Sequence, residues 1–215
     1  MELKGKKICF LGDSITAGVG ASKIENCYWK KLGEKTGANV LGFGIGGTRV
    51  APQKIKTKSY DNLDFQIRYK EIPSDADVIV VFGGTNDFGH GDAPFGKLSD
   101  KDPFTFCGAF YTLLKNLIEA HPEARIVVMS PHHRVSEKVV VIEIGLPTPP
   151  LSEYVKAEKE IASEFSIPVL DLWANSGMQP SVPIIKETYM PDGLHPSDKG
   201  HERIADLLIG FLKNL

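Results

Sequence analysis

Cysteine is scarce in this chain: Cys9, Cys27 and Cys107 are all that its 215 residues contain. They are odd in number and widely spaced, with no Cys-x-x-Cys pair, so neither a disulfide framework nor a cysteine-bound zinc is indicated. An excess of one charge is missing too. A formal net charge of −2 gives no field that would draw in nucleic acid or an anionic membrane surface. No apolar run approaches the roughly 18–20 residues of a spanning helix. The lysines at 4, 6 and 7 precede an apolar stretch that ends at Leu11. That is short of the apolar core of about 7–15 residues in a secretory signal. A reducing cytoplasm is therefore the expected setting. With no linker, repeat or low-complexity tract, residues 1–215 are expected to form one domain.

What is present is an ordinary globular composition, 42% hydrophobic and 24% charged, with length enough for a substantial core. Short β-branched runs bounded by Gly, Pro or Asp read as buried strands at Lys7–Leu11, Asn39–Phe43, Val78–Phe82, Arg125–Met129 and Pro168–Leu172. Amphipathic stretches lie between them. Ser22-x-x-Glu25 has the pattern of a capping box opening a helix that stops at Gly37. Phe106, Phe110, Leu113, Leu114 and Leu117 form a stripe ending before Pro122, and Leu151, Tyr154, Val155, Ile161 and Phe165 form another behind Pro149-Pro150. Ile204, Leu207, Leu208 and Phe211 mark a final helix with Ser197 at its N-cap. This alternation predicts an α/β fold with a parallel sheet covered on both faces. Residues 88–102, 131–148 and 174–195 read as irregular and follow strands, so they should gather at the carboxyl edge of the sheet. Val139–Ile142, before Gly145-Leu146-Pro147, is read as a short extra strand and turn.

The first strand breaks at Gly12 and presents Ser14 in Phe10-Leu11-Gly12-Asp13-Ser14-Ile15-Thr16, a serine at a strand end facing the crevice where α/β folds bind ligands. Serine needs a base to become a nucleophile, and an imidazole suits that task at neutral pH. Asp192-Gly193-Leu194-His195 supplies one, with an acid three residues earlier to fix its tautomer. The oxyanion formed on attack needs donors. Position offers the backbone amide of Ser14, an amide in Gly46-Gly47 after the second strand, and the side-chain amide of Asn86 after the third.

Taken together, Gly-Asp-Ser-Ile-Thr, a glycine turn, Gly-x-Asn-Asp and Asp-x-x-His resemble the blocks of the SGNH (GDSL-type) hydrolase family, in its order and over residues 8–200. The resemblance implies a flavodoxin-like three-layer α/β/α sandwich on a five-stranded parallel sheet. It implies Ser14 as nucleophile with Asp192 and His195 completing a catalytic triad, and Ser14, Gly47 and Asn86 as oxyanion hole. Gly46 is the alternative to Gly47, since the preceding segment reads Leu41-Gly42-Phe43-Gly44 where many members have an asparagine. Neither a metal nor an organic cofactor is implied. The expected activity is hydrolysis of carboxylic esters with short to medium acyl groups, with a small-molecule acyl ester as the partner. Alternatives within the family are O-deacetylation of a carbohydrate or cell-wall fragment, lysophospholipid cleavage and thioester cleavage. From other classes stand a non-catalytic carbohydrate- or lipid-binding module and an NAD-dependent oxidoreductase.

Other features have plainer readings. Gly42-x-Gly44-x-x-Gly47 matches a dinucleotide fingerprint, but it follows the second strand, and Gln66-Ile67-Arg68 stands where an acid belongs. His90-Gly91-Asp92 and His132-His133 lack metal-ligand spacing and are expected to be solvated or to line the cleft. Phe88, Phe95 and Phe104 suit an acyl-facing wall and a sheet-edge cover equally. Asp13 is expected to accept from nearby backbone amides, and Asp87 to hold its loop.

Overall fold

The computed structural model describes residues 1–55, 62–138 and 148–215. Five parallel strands form one sheet: β1 (Lys7–Gly12), β2 (Asn39–Gly44), β3 (Val78–Phe82), β4 (Arg125–Met129) and β5 (Val169–Leu170), in the order β2-β1-β3-β4-β5. Helices α1 (Tyr28–Thr36), α2 (Phe65–Arg68), α3 (Thr85–His90) and α4 (Phe106–Ala120) precede β4 or lead into it. After it come α5 (Leu151–Glu164), α6 (Leu172–Asn175), α7 (Pro183–Tyr189) and α8 (Asp198–Lys213).

β1, β3 and β4 read as nearly continuous apolar runs because both faces are covered; β2, expected to be buried as well, lies at the sheet edge with Asn39, Leu41 and Gly42 exposed. Cys9, Leu11, Ile79, Val81, Ile126 and Val128 face a core completed by α4 and α5. Ile8, Phe10, Val78, Val80, Val127 and Met129 face a second core with α1 and α8. Every residue of β3 is buried, and each large apolar side chain so removed from water contributes about 1.5–3 kcal/mol. On the outer surface Lys35 of α1 pairs with Glu202 and Asp206 of α8. The result is the three-layer α/β/α sandwich expected from the sequence.

After β1 the chain crosses to β2 on one side, then returns to β3 on the other. The reversal opens a crevice at the carboxyl ends of β1 and β3, the usual ligand site of such sheets. Ser14 follows β1 and Asn86 begins beside the end of β3.

Several local expectations change. Ser22 is not a capping-box residue: its backbone N–H and hydroxyl donate to the Asp198 carboxylate at 2.8 and 2.7 Å. A turn of 3-10 helix at Ile24–Asn26 follows, and α1 starts only at Tyr28, stopping at the left-handed Gly37 as expected. The fifth strand shortens to Val169–Leu170 because Asp171 caps α6, accepting from the Ala174 N–H at 3.0 Å. Of the stretches read as irregular, 88–102 begins inside α3, and 174–195 begins inside α6 and contains α7. Ser197 caps α8 as expected, accepting from Gly200 N–H at 3.3 Å. The strand and turn expected within 139–147 lie outside the described residues. No helix among the described residues is long and apolar enough to cross a membrane.

Candidate active site

The Ser14 turn is built on its neighbour. Asp13 is buried and its Oδ1 accepts the Ile15 N–H at 3.0 Å, while its carbonyl takes the Ala17 N–H at 2.9 Å. Burial raises the Asp13 carboxyl to about 6, against the lowering pull of the Ile15 amide. The turn holds Ser14 nearly enclosed, 9% exposed.

On the far loop Asp192 acts through both oxygens. Oδ1 accepts the backbone N–H of Leu194 at 2.8 Å and of His195 at 2.7 Å. Oδ2 accepts His195 Nδ1–H at 2.6 Å, which leaves Nε2 as an acceptor facing Ser14 Oγ at 3.0 Å. Partial burial raises the Asp192 carboxyl, but the side-chain and backbone bonds from His195 outweigh it and leave the group below its ordinary range. Gly193 carries φ 81° in this loop, and its carbonyl accepts the Val135 N–H at 2.9 Å. The segment after β4 is thereby tied to the Asp192–His195 loop.

Between these two loops lie the donors. Gly47 has φ 77°, a conformation glycine enters without Cβ strain. Asn86 Nδ2 donates to Thr48 O at 2.9 Å, and its Oδ1 faces His90 Nε2 at 3.0 Å. An amide nitrogen has two hydrogens, so one remains for the crevice. Arg49 Nη1 donates to Gly47 O at 2.9 Å and meets His90 Nδ1 at 3.3 Å, which links the glycine turn to Asn86. Asp87 ties the same loops, accepting Val50 and Ala51 N–H at 2.9 Å each, and burial raises it to about 7. The backbone N–H groups of Ser14, Gly46 and Gly47 have no acceptor among the described residues.

A cavity of about 270 Å³ collects Ser14, Gly47, Asn86, His90, Arg134 and His195, with Val19 and Leu194 as its apolar walls. Gly46 is not among its lining residues, though a Cβ there would sit 3.8 Å from the Ser14 Cβ. Of the six singled-out sequence positions, Ser14, Gly47, Asn86 and His195 line this cavity, and Asp192 stands behind His195, 54% exposed at its side chain. The larger groove of about 700 Å³ beside α8 contains none of them.

The remaining candidates separate. Of His90, His132 and His133, only His90 lines the cavity. His132 is buried edge-on to Phe82, and His133 stacks near Trp173 and bonds Glu137 at 2.9 Å. Asp92 accepts the backbone N–H groups of Lys54 and Ile55. Phe88 and Phe95 pack on Tyr154 within the core, Phe104 is exposed, and none lines the cavity. The fingerprint glycines serve packing: a Cβ at Gly42 would lie 2.5 Å from the Trp29 ring, and one at Gly44 2.2 Å from Ala17 N.

Two residues escaped the sequence reading. Arg68, fully buried, donates to the carbonyls of Gly12 (2.9 Å), Phe43 (2.6 Å) and Leu63 (2.7 Å) and to Thr48 Oγ1 (2.8 Å). Arg134 lines the cavity itself. A lone arginine after a strand carries no signal that separates either from a surface cation.

The model of the GDSL-like lipase/acylhydrolase family matches residues 10–203. The chain belongs to that family. Among solved structures it is similar to a protein from Lactobacillus plantarum, with 31% identity, 98% of each chain covered and a TM-score of 0.83. A lipase/acylhydrolase from Enterococcus faecalis shares the fold at 23% identity, covering 97% of this chain and 96% of that one, TM-score 0.66. So does a carbohydrate acetylesterase family member from Sinorhizobium meliloti at 18% identity, 97% and 98% covered, TM-score 0.66. No curated protein gives a significant match. Family membership makes the chain a hydrolase of the GDSL/SGNH type.

Proposed function

We propose that the protein is a serine esterase acting on carboxylic esters with short to medium acyl groups. The observation that carries this reading is the continuous path from Asp192 Oδ2 through His195 to Ser14 Oγ, 2.6 and 3.0 Å at its two junctions. In the proposed reaction Ser14 Oγ attacks the ester carbonyl while His195 Nε2 takes the hydroxyl proton. Asp192 stabilises the imidazolium. The carbonyl π electrons move onto oxygen, and the oxyanion is received by the N–H of Ser14, the N–H of Gly47 and the second N–H of Asn86. His195 then gives its proton to the departing alkoxide, leaving acyl-Ser14. A water deprotonated by His195 attacks the acyl group, and collapse returns the proton to Ser14 and frees the acid.

The cavity's size supports the acyl range: about 270 Å³ lies at the small end of ligand sites. Its walls near the serine, Val19 and Leu194, are apolar. Of the phenylalanines weighed as a lipid-like acyl wall, Phe88 and Phe95 pack on Tyr154, Phe104 is exposed, and none lines the cavity, which weighs against long chains.

The test is hydrolysis of p-nitrophenyl acetate and butyrate beside the Ser14→Ala variant, with fluorophosphonate labelling of both proteins. Turnover and labelling in the wild type, both lost in Ser14→Ala, support the reading. Equal turnover in the variant removes Ser14 as nucleophile. A wild type that neither turns over nor labels points to the non-catalytic binding module.

A further inference from the structure

The catalytic cavity contains a charge that the proposed acyl transfer does not use. Its lining holds the Arg134 guanidinium and two imidazoles, and none of the lining side chains is a carboxylate. The carboxylates that act on Arg134 through space are Asp13, Asp192 and Glu137. Each is engaged elsewhere. Asp13 holds the Ile15 amide, Asp192 holds His195, and Glu137 accepts His133 Nδ1–H at 2.9 Å and the Arg134 backbone N–H at 3.1 Å. Among the described residues the guanidinium has no ion pair.

Its orientation is nevertheless fixed. Nη1 donates to the carbonyl and the hydroxyl of Thr85, at 3.2 Å each, and the group lies 5.6 Å from the Phe88 ring centroid. Nε and Nη2 have no acceptor among the described residues. Gly89 makes the seat: a Cβ there would stand 2.9 Å from Nη1 and 3.6 Å from Cζ and Nη2. Glycine is a poor choice inside a helix, yet α3 carries one where the guanidinium lies against its backbone. Burial works against the charge of Arg134, a cost that an incoming anion offsets. A planar guanidinium held at one edge, with the rest of its fork open to a cavity, is suited to a carboxylate or phosphate.

We propose that Arg134 is a specificity residue that receives an oxyanion carried by the substrate, so that the preferred esters bear a carboxylate or phosphate a few bonds from the scissile carbonyl. This rests on the reading of Ser14 as the nucleophile beside it. Arg134 touches neither reacting oxygen in that mechanism. It sorts substrates by charge.

The experiment compares matched esters. p-Nitrophenyl hemiglutarate against p-nitrophenyl pentanoate places the charge on the acyl part. 4-Acetoxybenzoate against its methyl ester places it on the alcohol part. Each pair is run with wild type, Arg134→Gln, Arg134→Lys and Gly89→Ala, and the readout is the charged-to-neutral ratio of kcat/KM, in which intrinsic reactivity cancels between proteins. In at least one pair the wild-type ratio is expected to fall by about 10- to 100-fold in Arg134→Gln, the range of a charge-assisted hydrogen bond. Arg134→Lys should recover part of it, since charge returns without the fork. Gly89→Ala, which favours the helix while displacing the guanidinium, should lower the ratio as well. In wild type alone, raising salt from about 0.05 to 0.5 M should slow the charged ester more than the neutral one. The pair that responds tells which side of the ester carries the anion. A ratio that is the same in wild type and all three variants overturns the inference and leaves the esterase reading standing. Failure of every ester together with absent fluorophosphonate labelling overturns the esterase reading itself, and this inference with it.

Discussion

Arg68 donates from Nη2 to the carbonyl of Gly12, the last residue of β1 and two positions ahead of Ser14. Its other bonds reach Phe43 at the end of β2, Leu63 and the Thr48 hydroxyl, so one buried cation joins the ends of two strands to the glycine turn. Burial lowers its pKa to about 10, which leaves it charged at neutral pH. Replacement by methionine keeps the bulk and strands these acceptors. Arg68→Met is expected to lose about 3–5 kcal/mol of stability in urea unfolding. Arg68→Lys should recover little of it, because one ammonium cannot span acceptors set out for a fork. A loss below about 1 kcal/mol in the methionine variant would show that these bonds are dispensable.

Asn86 is tied at both ends of its amide, to Thr48 O and to His90. In the proposed mechanism its second N–H receives the oxyanion, so its removal should act on the transition state. Asn86→Ala is expected to lower kcat for p-nitrophenyl butyrate by about 10²–10³ with little change in KM. A rise in KM with kcat preserved would instead assign the residue to ground-state binding.

His201 gives the protein a pH dependence. It is fully buried on α8, its ring lies parallel to Tyr28 at 6.1 Å, and its Nδ1 accepts the Tyr28 backbone N–H at 3.3 Å. Burial lowers its pKa to about 4, below the roughly 6.5 of an unfolded chain. A lowered pKa means that the unfolded chain takes the proton first. The contribution of neutral His201 is present above pH 6.5 and is lost as pH falls towards 4, by about 3 kcal/mol in all. Asp13 and Asp87, raised to about 6 and 7, titrate in the opposite sense, but equally in wild type and in His201→Asn. The stability gap between those two proteins should therefore shrink by about that amount from pH 7 to pH 4. Urea midpoints at the two pH values check it, and a constant gap would contradict the neutral assignment.

Every proton transfer in the proposed reaction is assigned to His195, and the oxyanion is assigned to N–H donors. Ester hydrolysis should accordingly proceed at the same rate after dialysis against EDTA. A loss of activity that zinc or magnesium restores would require a different mechanism.

The sequence carried the sheet and most of the site because their signals are local. Strands buried on both faces read as unbroken β-branched runs, and Ser14, Asn86 and His195 each stand at a glycine-marked strand end or in a loop. It misread what depends on distant partners. Ser22 has the local pattern of a capping residue, yet its partner Asp198 is 176 residues away. Phe88 and Phe104 share a residue type, but one is enclosed by α5 and the other lies open to water. Arg68 and Arg134 gain meaning only from carbonyls, a threonine and a glycine supplied by other segments. Short-range spacing contains no record of such meetings.

The hydrogen bond from Val135 N–H to Gly193 O couples two tasks that enzyme engineers would wish to vary separately. Exchanging the loop after β4 to retune the proposed selectivity would also remove a brace from the segment that carries Asp192 and His195, the proposed acid–base pair. A transplanted loop must bring a backbone N–H donor to position 135, whatever side chain it places at 134. Otherwise the altered preference will arrive together with a slower proton shuttle.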